Sequence, residues 1–268
     1  ISDKGETVNY ETFILTHVDG IATITLNRPD KLNALSDKMI IELCNVTSDL
    51  KTDNSVKVVV ITANGRAFSA GGDLNAEIFA TPSSIELKRV LNRTHQYILN
   101  LRTMEKPVIA GVNGLAVGGG CDLALACDIR IASETARFSV AYVNVGLHPD
   151  LGASYLLAPL VGFGKACELI FTGKMIDARE AERIGMVNQV VLAEQLLPAT
   201  MEMARTIAKG PSIAIGYAKT SIYESWNRDI YANQENEARI QAVVWTTEDS
   251  REGIKAFVEK RKPNFKGR

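Results

Sequence analysis

Two glycine-rich stretches, each following an apolar strand, carry the chemistry most directly legible in this chain. The first reads Gly65-Arg66-Ala67-Phe68-Ser69-Ala70-Gly71-Gly72-Asp73. The second runs from Pro107 into Gly118-Gly119-Gly120-Cys121-Asp122. Glycine lets main chain approach a ligand closely and leaves peptide N–H groups free to point at it. Two such loops meeting at one point supply two amide donors to one oxygen, an oxyanion hole suited to chemistry on a carbonyl. Other readings of these glycines are weaker. Neither run has the G-x-G-x-x-G spacing that opens a dinucleotide-binding βαβ unit. The segment Ala67-Phe68-Ser69-Ala70-Gly71 is one residue from a serine nucleophile elbow. The elbow needs glycine where Ala67 stands, and no histidine follows His148 to close a triad in the expected order. No metal-ligand spacing links the three histidines and four cysteines, so no metal is expected.

The elements that would position these loops follow from periodicity. Residues 13–18 and 21–26 alternate around Asp19-Gly20, a hairpin signal. Ser36 is a candidate N-cap for a helix with Met39, Ile40, Leu43 and Val46 on one face. Residues 56–62 form an apolar, β-branched run, as in a strand buried on both faces. Helical periodicity spans residues 84–104, Pro107 breaks it, and 108–112 is the next buried strand. Residues 118–126 read as a short helix starting inside the glycine run, and 129–132 as a further strand. Alternating strand and helix imply an α/β layered core. Beyond Gly152 the pattern turns mostly helical, with a capping box at Asp177-Ala178-Arg179-Glu180 and a short strand at 187–192. From Gln195 onward only helices are expected, punctuated by Gly210-Pro211 and by Asn227-Arg228-Asp229. Apolar faces on such a layer often pack on a neighbouring subunit.

Composition limits the classes. The chain has 268 residues, 46% hydrophobic and 23% charged, as in a soluble globular protein. A net charge of −1 gives no case for nucleic acid or an acidic membrane as the main partner. No apolar run approaches membrane-spanning length. The polar opening segment does not read as a signal peptide. Cys44, Cys121, Cys127 and Cys167 lie in apolar contexts without paired spacing and read as reduced core thiols, so a cytoplasmic location is expected.

Several ordered blocks resemble the crotonase superfamily, the enoyl-CoA hydratases and isomerases, over nearly the whole length. They are Leu26-Asn27-Arg28-Pro29 with Leu32-Asn33-Ala34-Leu35, then Ala67-Phe68-Ser69-Ala70-Gly71-Gly72-Asp73-Leu74, then Lys106-Pro107-Val108-Ile109-Ala110 leading to Gly118-Gly119-Gly120-Cys121-Asp122. Cys127-Asp128 and Phe257-Val258-Glu259-Lys260-Arg261-Lys262-Pro263 complete the match. The resemblance implies a crotonase (ClpP/crotonase-like) α/β fold. Residues 1–195 would form a spiral core of ββα repeats holding the acyl-CoA site, and 196–268 a helical region that makes trimers or hexamers. It implies a coenzyme A thioester as substrate and no prosthetic group. The thioester oxygen would be held by the N–H groups of Gly72 and Gly119, the latter at a helix start where the dipole favours negative charge. Lys31 and Ala70 would line the adenosyl side of the coenzyme, and Phe257 and Lys260 would reach it from a neighbouring subunit.

The acid–base positions depart from the two-glutamate pattern of hydratases. Asp122 stands at the first and Tyr142 at the second, and a tyrosine that ionises near pH 10 is a poor base at neutral pH. Asp150, in Gly146-Leu147-His148-Pro149-Asp150, matches the working aspartate of dienoyl-CoA and ring-epoxide or oxepin isomerases. One aspartate suffices to move a proton between two carbons. Dehalogenases of the benzoyl-CoA type pair an aspartate there with an aromatic residue at the Tyr142 place and a histidine at the His95 place, so acyl-CoA hydrolysis is a further alternative. Each residue also has a plainer reading. Asp150 could N-cap the next helix, Asp122 could hydrogen-bond locally, Tyr142 and His95 could be pocket wall, and His148 an exposed loop histidine. Residues 77–90 are expected to line the acyl pocket. The expected activity is double-bond isomerisation of an enoyl-CoA, with hydration, then hydrolysis or dehalogenation, then a non-catalytic acyl-CoA scaffold as alternatives.

Overall fold

A computed structural model of the protein describes residues 5–73 and 83–268. Near the start of the chain, strand β1 (Glu6–Asn9) pairs with β2 (Phe13–Val18), and β2 turns into β3 (Ile21–Leu26) through Asp19 and Gly20, both at positive φ. Helix α1 (Asp37–Thr52) follows, with the Ser36 hydroxyl accepting from the Met39 N–H at 3.3 Å as the N-cap. The chain then repeats one unit: a strand in a first sheet, a short strand in a second, and a helix. The first repeat is β4 (Val58–Ala63), β5 (Ala67–Ser69) and α2 (Ser84–Thr103). The second is β6 (Val108–Val112), β7 (Leu115–Val117) and α3 (Gly119–Ala126). The third opens with β8 (Ile129–Ser133) and β9 (Arg137–Ser139). It continues through α4 (Ala153–Leu156), α5 (Ala158–Val161), α6 (Phe163–Thr172), β10 (Ile176–Asp177), α7 (Ala178–Arg183) and β11 (Gln189–Val191).

Among the described residues the first sheet has the order β1-β2-β3-β4-β6-β8-β11, antiparallel up to β3 and parallel from there on. The second has the order β10-β9-β7-β5. This is the mixed α/β crotonase fold of repeated ββα units. The second sheet was not foreseen from periodicity, because its strands are two or three residues long and show no alternation. Two strands are also shorter or shifted relative to the sequence pattern, at Val58–Ala63 and Gln189–Val191.

The uninterrupted apolar run of β4 has a direct cause. Val59 and Ile61 face the main core with Leu43, Leu101 and Val108. Val58 and Val60 face the other side with Ile21, Ile109, Ala204 and Ala208. The covering element on that side is α8 (Leu196–Ala208). The sequence pattern groups α8 with the helices that follow, whereas its contacts are with β4, β6 and β8. Of the four cysteines, all free, Cys121 and Cys127 are buried, Cys44 is half-buried and Cys167 is exposed. The expectation of four core thiols is thus corrected at Cys167, which lies off the face of α6 that buries Ala166 and Leu169.

Helix α9 (Ser212–Glu224) is tied to the core by a buried ion pair. Lys219 Nζ lies 2.9 Å from Asp128 Oδ2 and also donates to the carbonyls of Leu101 and Lys106 at 2.8 and 2.9 Å. Asp128 further accepts from the Val108 N–H and the Tyr223 hydroxyl, and the Arg102 guanidinium lies 3.4 Å from the Tyr223 ring centre. Helices α10 (Ile230–Val244) and α11 (Glu248–Val258) extend beyond this anchor, with Ile230, Tyr231, Trp245, Phe257 and Val258 exposed. No helix among the described residues is long and apolar enough to cross a membrane.

Breaking a buried pair strands its remaining charge, which typically costs about 3–5 kcal/mol. Lys219→Met is therefore expected to lower unfolding free energy by about 3 kcal/mol in a urea titration, with the transition remaining cooperative.

Candidate active site

The first glycine loop is held by the segment before α1. Asn33 is fully buried at positive φ, and its side-chain oxygen accepts from the Arg28 N–H at 2.7 Å. Its amide group donates to the carbonyls of Asn64 and Ala67 at 2.9 and 2.8 Å. The Ala70 N–H then donates to Leu32 O, the Leu35 N–H to Gly71 O, and the Asp73 N–H to Leu35 O, forming a parallel bridge between Leu35 and Gly72. The N–H of Gly72 itself is not among the donors of this bridge.

The second loop lies directly against the first. A Cβ on Gly71, whose φ is +88°, would stand 2.6 Å from Val117 O and 3.3 Å from the Gly119 nitrogen. A Cβ on Gly120 would stand 2.2 Å from Ser69 O. The two loops thus pack main chain on main chain, and these glycines are required by contact as well as by ligand access. Gly119 is the first residue of α3, so its N–H has no acceptor within the helix. Ser69, the residue of the rejected nucleophile-elbow reading, is fully buried and its hydroxyl accepts from the Gly71 N–H.

Asp122 sits on the first turn of α3 and is fully buried. The Tyr142 hydroxyl donates to its Oδ2 at 2.6 Å, while Oδ1 makes no hydrogen bond within the protein. The main-chain amides of Leu151 and Ala153 favour the charged form without reaching hydrogen-bond geometry with Oδ1. Burial, with the negative charge of Asp150 adding to it, pushes the Asp122 carboxyl up to about 7. Tyr142 is held far above its ordinary value, by burial first and then by the Asp122 charge, so it remains a phenol and a donor. This role of Tyr142 was not legible in the sequence, where the residue read as pocket wall. The tyrosine follows β9 at a chain separation of 20 residues from Asp122, and only the fold brings the two together.

Asp150 is partly buried, and burial raises its carboxyl. The Tyr142 hydroxyl, His95 and His148 each oppose that rise. It does not cap a helix: the next one, α4, begins at Ala153 after Gly152, without a side-chain cap. His95, on α2, is half-buried with its Nε2 enclosed and unpaired. Asp122, Tyr142, Asp150 and His95 are therefore one electrostatic cluster, and Tyr142 binds that cluster to the second glycine loop. Its hydroxyl would lie 3.7 Å from a Cβ placed on Gly119. Tyr97, also on α2, belongs to the same cluster and was missed by sequence reasoning. It is fully buried, and Asp122 is the strongest charge acting on it. Helical periodicity alone gives Tyr97 no chemical role.

Lys31 is exposed at the end of a 3₁₀ turn, one residue from the Leu32 carbonyl that receives the Ala70 N–H, so these two residues are brought together. Phe257 and Lys260 are exposed at the end of α11, and no hydrogen bond or ion pair among the described residues joins them to the loops. Of the expected acyl-pocket segment 77–90, residues 77–82 lie outside the described residues, and 84–90 form the first turns of α2.

The enoyl-CoA hydratase/isomerase family matches this chain over residues 16–268. A crotonyl-CoA hydratase of Syntrophomonas wolfei is 37% identical over 257 residues, which is 96% of this chain and 98% of that protein. A 1,2-epoxyphenylacetyl-CoA isomerase of Escherichia coli K12 is 35% identical over 259 residues, 96% and 99% of the two chains. The crystal structure of an enoyl-CoA hydratase from Bacillus anthracis superposes with a TM-score of 0.88 at 33% identity, covering 98% of this chain and 99% of that one. The chain belongs to the enoyl-CoA hydratase/isomerase family of the crotonase superfamily, and it is an enzyme of that family.

The buried Asp122 carboxyl gives a pH test. Its ordinary value is 3.8 and its folded value about 7, so between these limits the folded state binds more protons than the unfolded chain. Stability attributable to this group is complete below about pH 4 and is lost as pH rises through 7. Asp122→Asn removes that loss and keeps an acceptor for Tyr142. The melting temperature of this variant relative to the unsubstituted protein is expected to rise between pH 5 and pH 8.

Proposed function

We propose that this enzyme moves the double bond of an enoyl-CoA thioester, with Asp150 as the proton carrier. The observation that supports this most strongly is the inequality of the two carboxylates. Asp122 is fully enclosed with one oxygen engaged by Tyr142, whereas Asp150 is partly open to solvent beside the same tyrosine. The thioester oxygen would accept from the N–H groups of Gly72 and Gly119. As Asp150 takes a proton from carbon, electron density moves onto that oxygen, and the two hydrogen bonds strengthen as the enolate forms. The C–H bonding pair becomes the new double bond, and Asp150 returns its proton to a second carbon of the conjugated system. The neutral Tyr142 keeps the Asp122 carboxyl fixed and limits repulsion between the two acids. Each amide donor of this kind contributes roughly 3–4 kcal/mol to the transition state.

Hydration is the second reading. A second acidic group with its carboxyl near 7 stands beside Asp150, as an acid and a base acting on water would require. A relative named crotonyl-CoA hydratase is as similar to this chain as the one named an isomerase. The coenzyme would lie along Lys31 and Ala70. Phe257 and Lys260 would reach it from a neighbouring subunit of a trimer or of a pair of trimers, whose contact would cover the apolar side chains left exposed on α10 and α11.

Asp150→Asn is expected to lower kcat for isomerisation by at least 100-fold, with affinity for the thioester changed only a few-fold. Mass spectrometry of products from a panel of acyl-CoA thioesters is the check. Unchanged mass supports isomerisation, a gain of water supports hydration, and a full rate in the Asn variant removes Asp150 from the mechanism.

A further inference from the structure

Among the described residues, Asp19, Leu32, Asn33 and Lys260 have positive φ without being glycine. Asp19 makes the turn between β2 and β3, and Leu32 and Asn33 make the turn that holds the first glycine loop. Lys260, at φ +53°, follows the end of α11 and is exposed. Its N–H donates to Phe257 O at 3.2 Å, and the Arg261 N–H donates to Ala256 O at 3.0 Å. This is a helix stop whose turning residue is usually glycine or asparagine. A lysine adopts that conformation against its backbone preference, so its surroundings must impose it.

The imposing contacts centre on Glu252, about two turns earlier on α11. Its Oε1 and Oε2 accept from Arg261 Nη1 and Nη2 at 2.6 and 2.9 Å, and Oε1 also accepts from the Asn264 N–H at 2.8 Å. Arg261 Nε donates to Glu259 at 2.6 Å, so the residues on either side of Lys260 are held together. Further on, Asp249 is buried and accepts from the Lys266 and Gly267 N–H groups at 2.6 and 2.8 Å, while its own N–H donates to Arg268 O at 3.0 Å. The chain therefore doubles back along α11 from Lys260 onward. Lys255, Glu259 and Arg261 are paired, whereas Lys260 has no ion pair among the described residues. Its backbone is fixed and its ammonium is left to meet an anion.

We propose that Glu252 and Arg261 are positioning residues for coenzyme binding: their bidentate pair holds Lys260 in its left-handed conformation and so sets where its ammonium meets the coenzyme's phosphates. The contact of Lys260 with the coenzyme rests on the thioester reading above, whereas the clamp on its backbone is observed directly. The charge of Glu252 and its positioning role act with opposite signs. Removing a negative charge from this helix end would by charge alone tighten binding of a phosphate, while releasing Lys260 weakens it.

The test measures Kd on the full chain for one acyl group carried on coenzyme A and on pantetheine, which lacks the nucleotide. Glu252→Ala is expected to weaken the coenzyme A thioester about tenfold and to leave the pantetheine thioester within about twofold. Lys260→Asn, which tolerates the left-handed turn, is expected to give a similar loss, and the double variant little more than either alone. Glu252→Gln, which keeps an acceptor for Arg261 and Asn264, should fall between and serves if the alanine variant does not fold. Unchanged or tighter binding of the coenzyme A thioester by the Glu252 variants, equal losses for both thioesters, or additive losses in the double variant overturn the positioning role. A tail that is only structural gives a lower melting temperature with both Kd values unmoved. If Lys260→Asn binds the coenzyme A thioester normally, the placement of Lys260 on the coenzyme is what fails, and the positioning role falls with it. If the unsubstituted protein binds neither thioester, the thioester reading itself has failed, and both fall.

Discussion

The close contact of two glycine loops, main chain against main chain, is the constraint on which the rest of this site depends. A side chain at Gly120 would run into the Ser69 carbonyl, and one at Gly71 into the Val117 carbonyl. That contact sets the start of α3 beside the Leu35–Gly72 bridge. It also places Asp122, three residues further on, in the interior. The amides that would hold a thioester oxygen and the carboxyl that would tune the chemistry are thus fixed by the same packing event.

The burial of Asp122 has consequences for its surroundings. A carboxyl wholly removed from water favours its neutral form, and the nearby Asp150 strengthens that preference. Tyr142 opposes it by donating to Oδ2, and the same environment keeps the phenol from ionising. Two acids of different exposure on either side of one tyrosine can divide proton-holding and proton-moving roles.

The helical C-terminal region is attached rather than merely appended. Lys219, Asp128, Tyr223 and Arg102 join α9 to the starts of β6 and β8, two inner strands of the parallel sheet. Trp226, just beyond α9, lies 5.3 Å ring to ring from Tyr155 of α4, three residues after Gly152 on the segment that carries Asp150. The aromatic contacts therefore connect the helical layer to the segment that bears the mobile-proton candidate.

The sequence alone was enough for elements whose cause is local. The hairpin at Asp19-Gly20, the caps at Ser36 and Asp177, the helix emerging from the glycine run and the doubly buried β4 all follow from backbone preference and side-chain period, and they stand where those rules put them except that β4 begins at Val58, inside its apolar run. The glycine loops were legible as well, because glycine in such runs has few other uses. The second sheet, the covering of β4 by α8, the Tyr142–Asp122 hydrogen bond and the place of Tyr97 were decided by tertiary structure. Each joins residues that are distant in the chain, or segments too short to have a period. Burial, which sets the charge of Asp122, belongs to the packed molecule and to no single stretch of sequence.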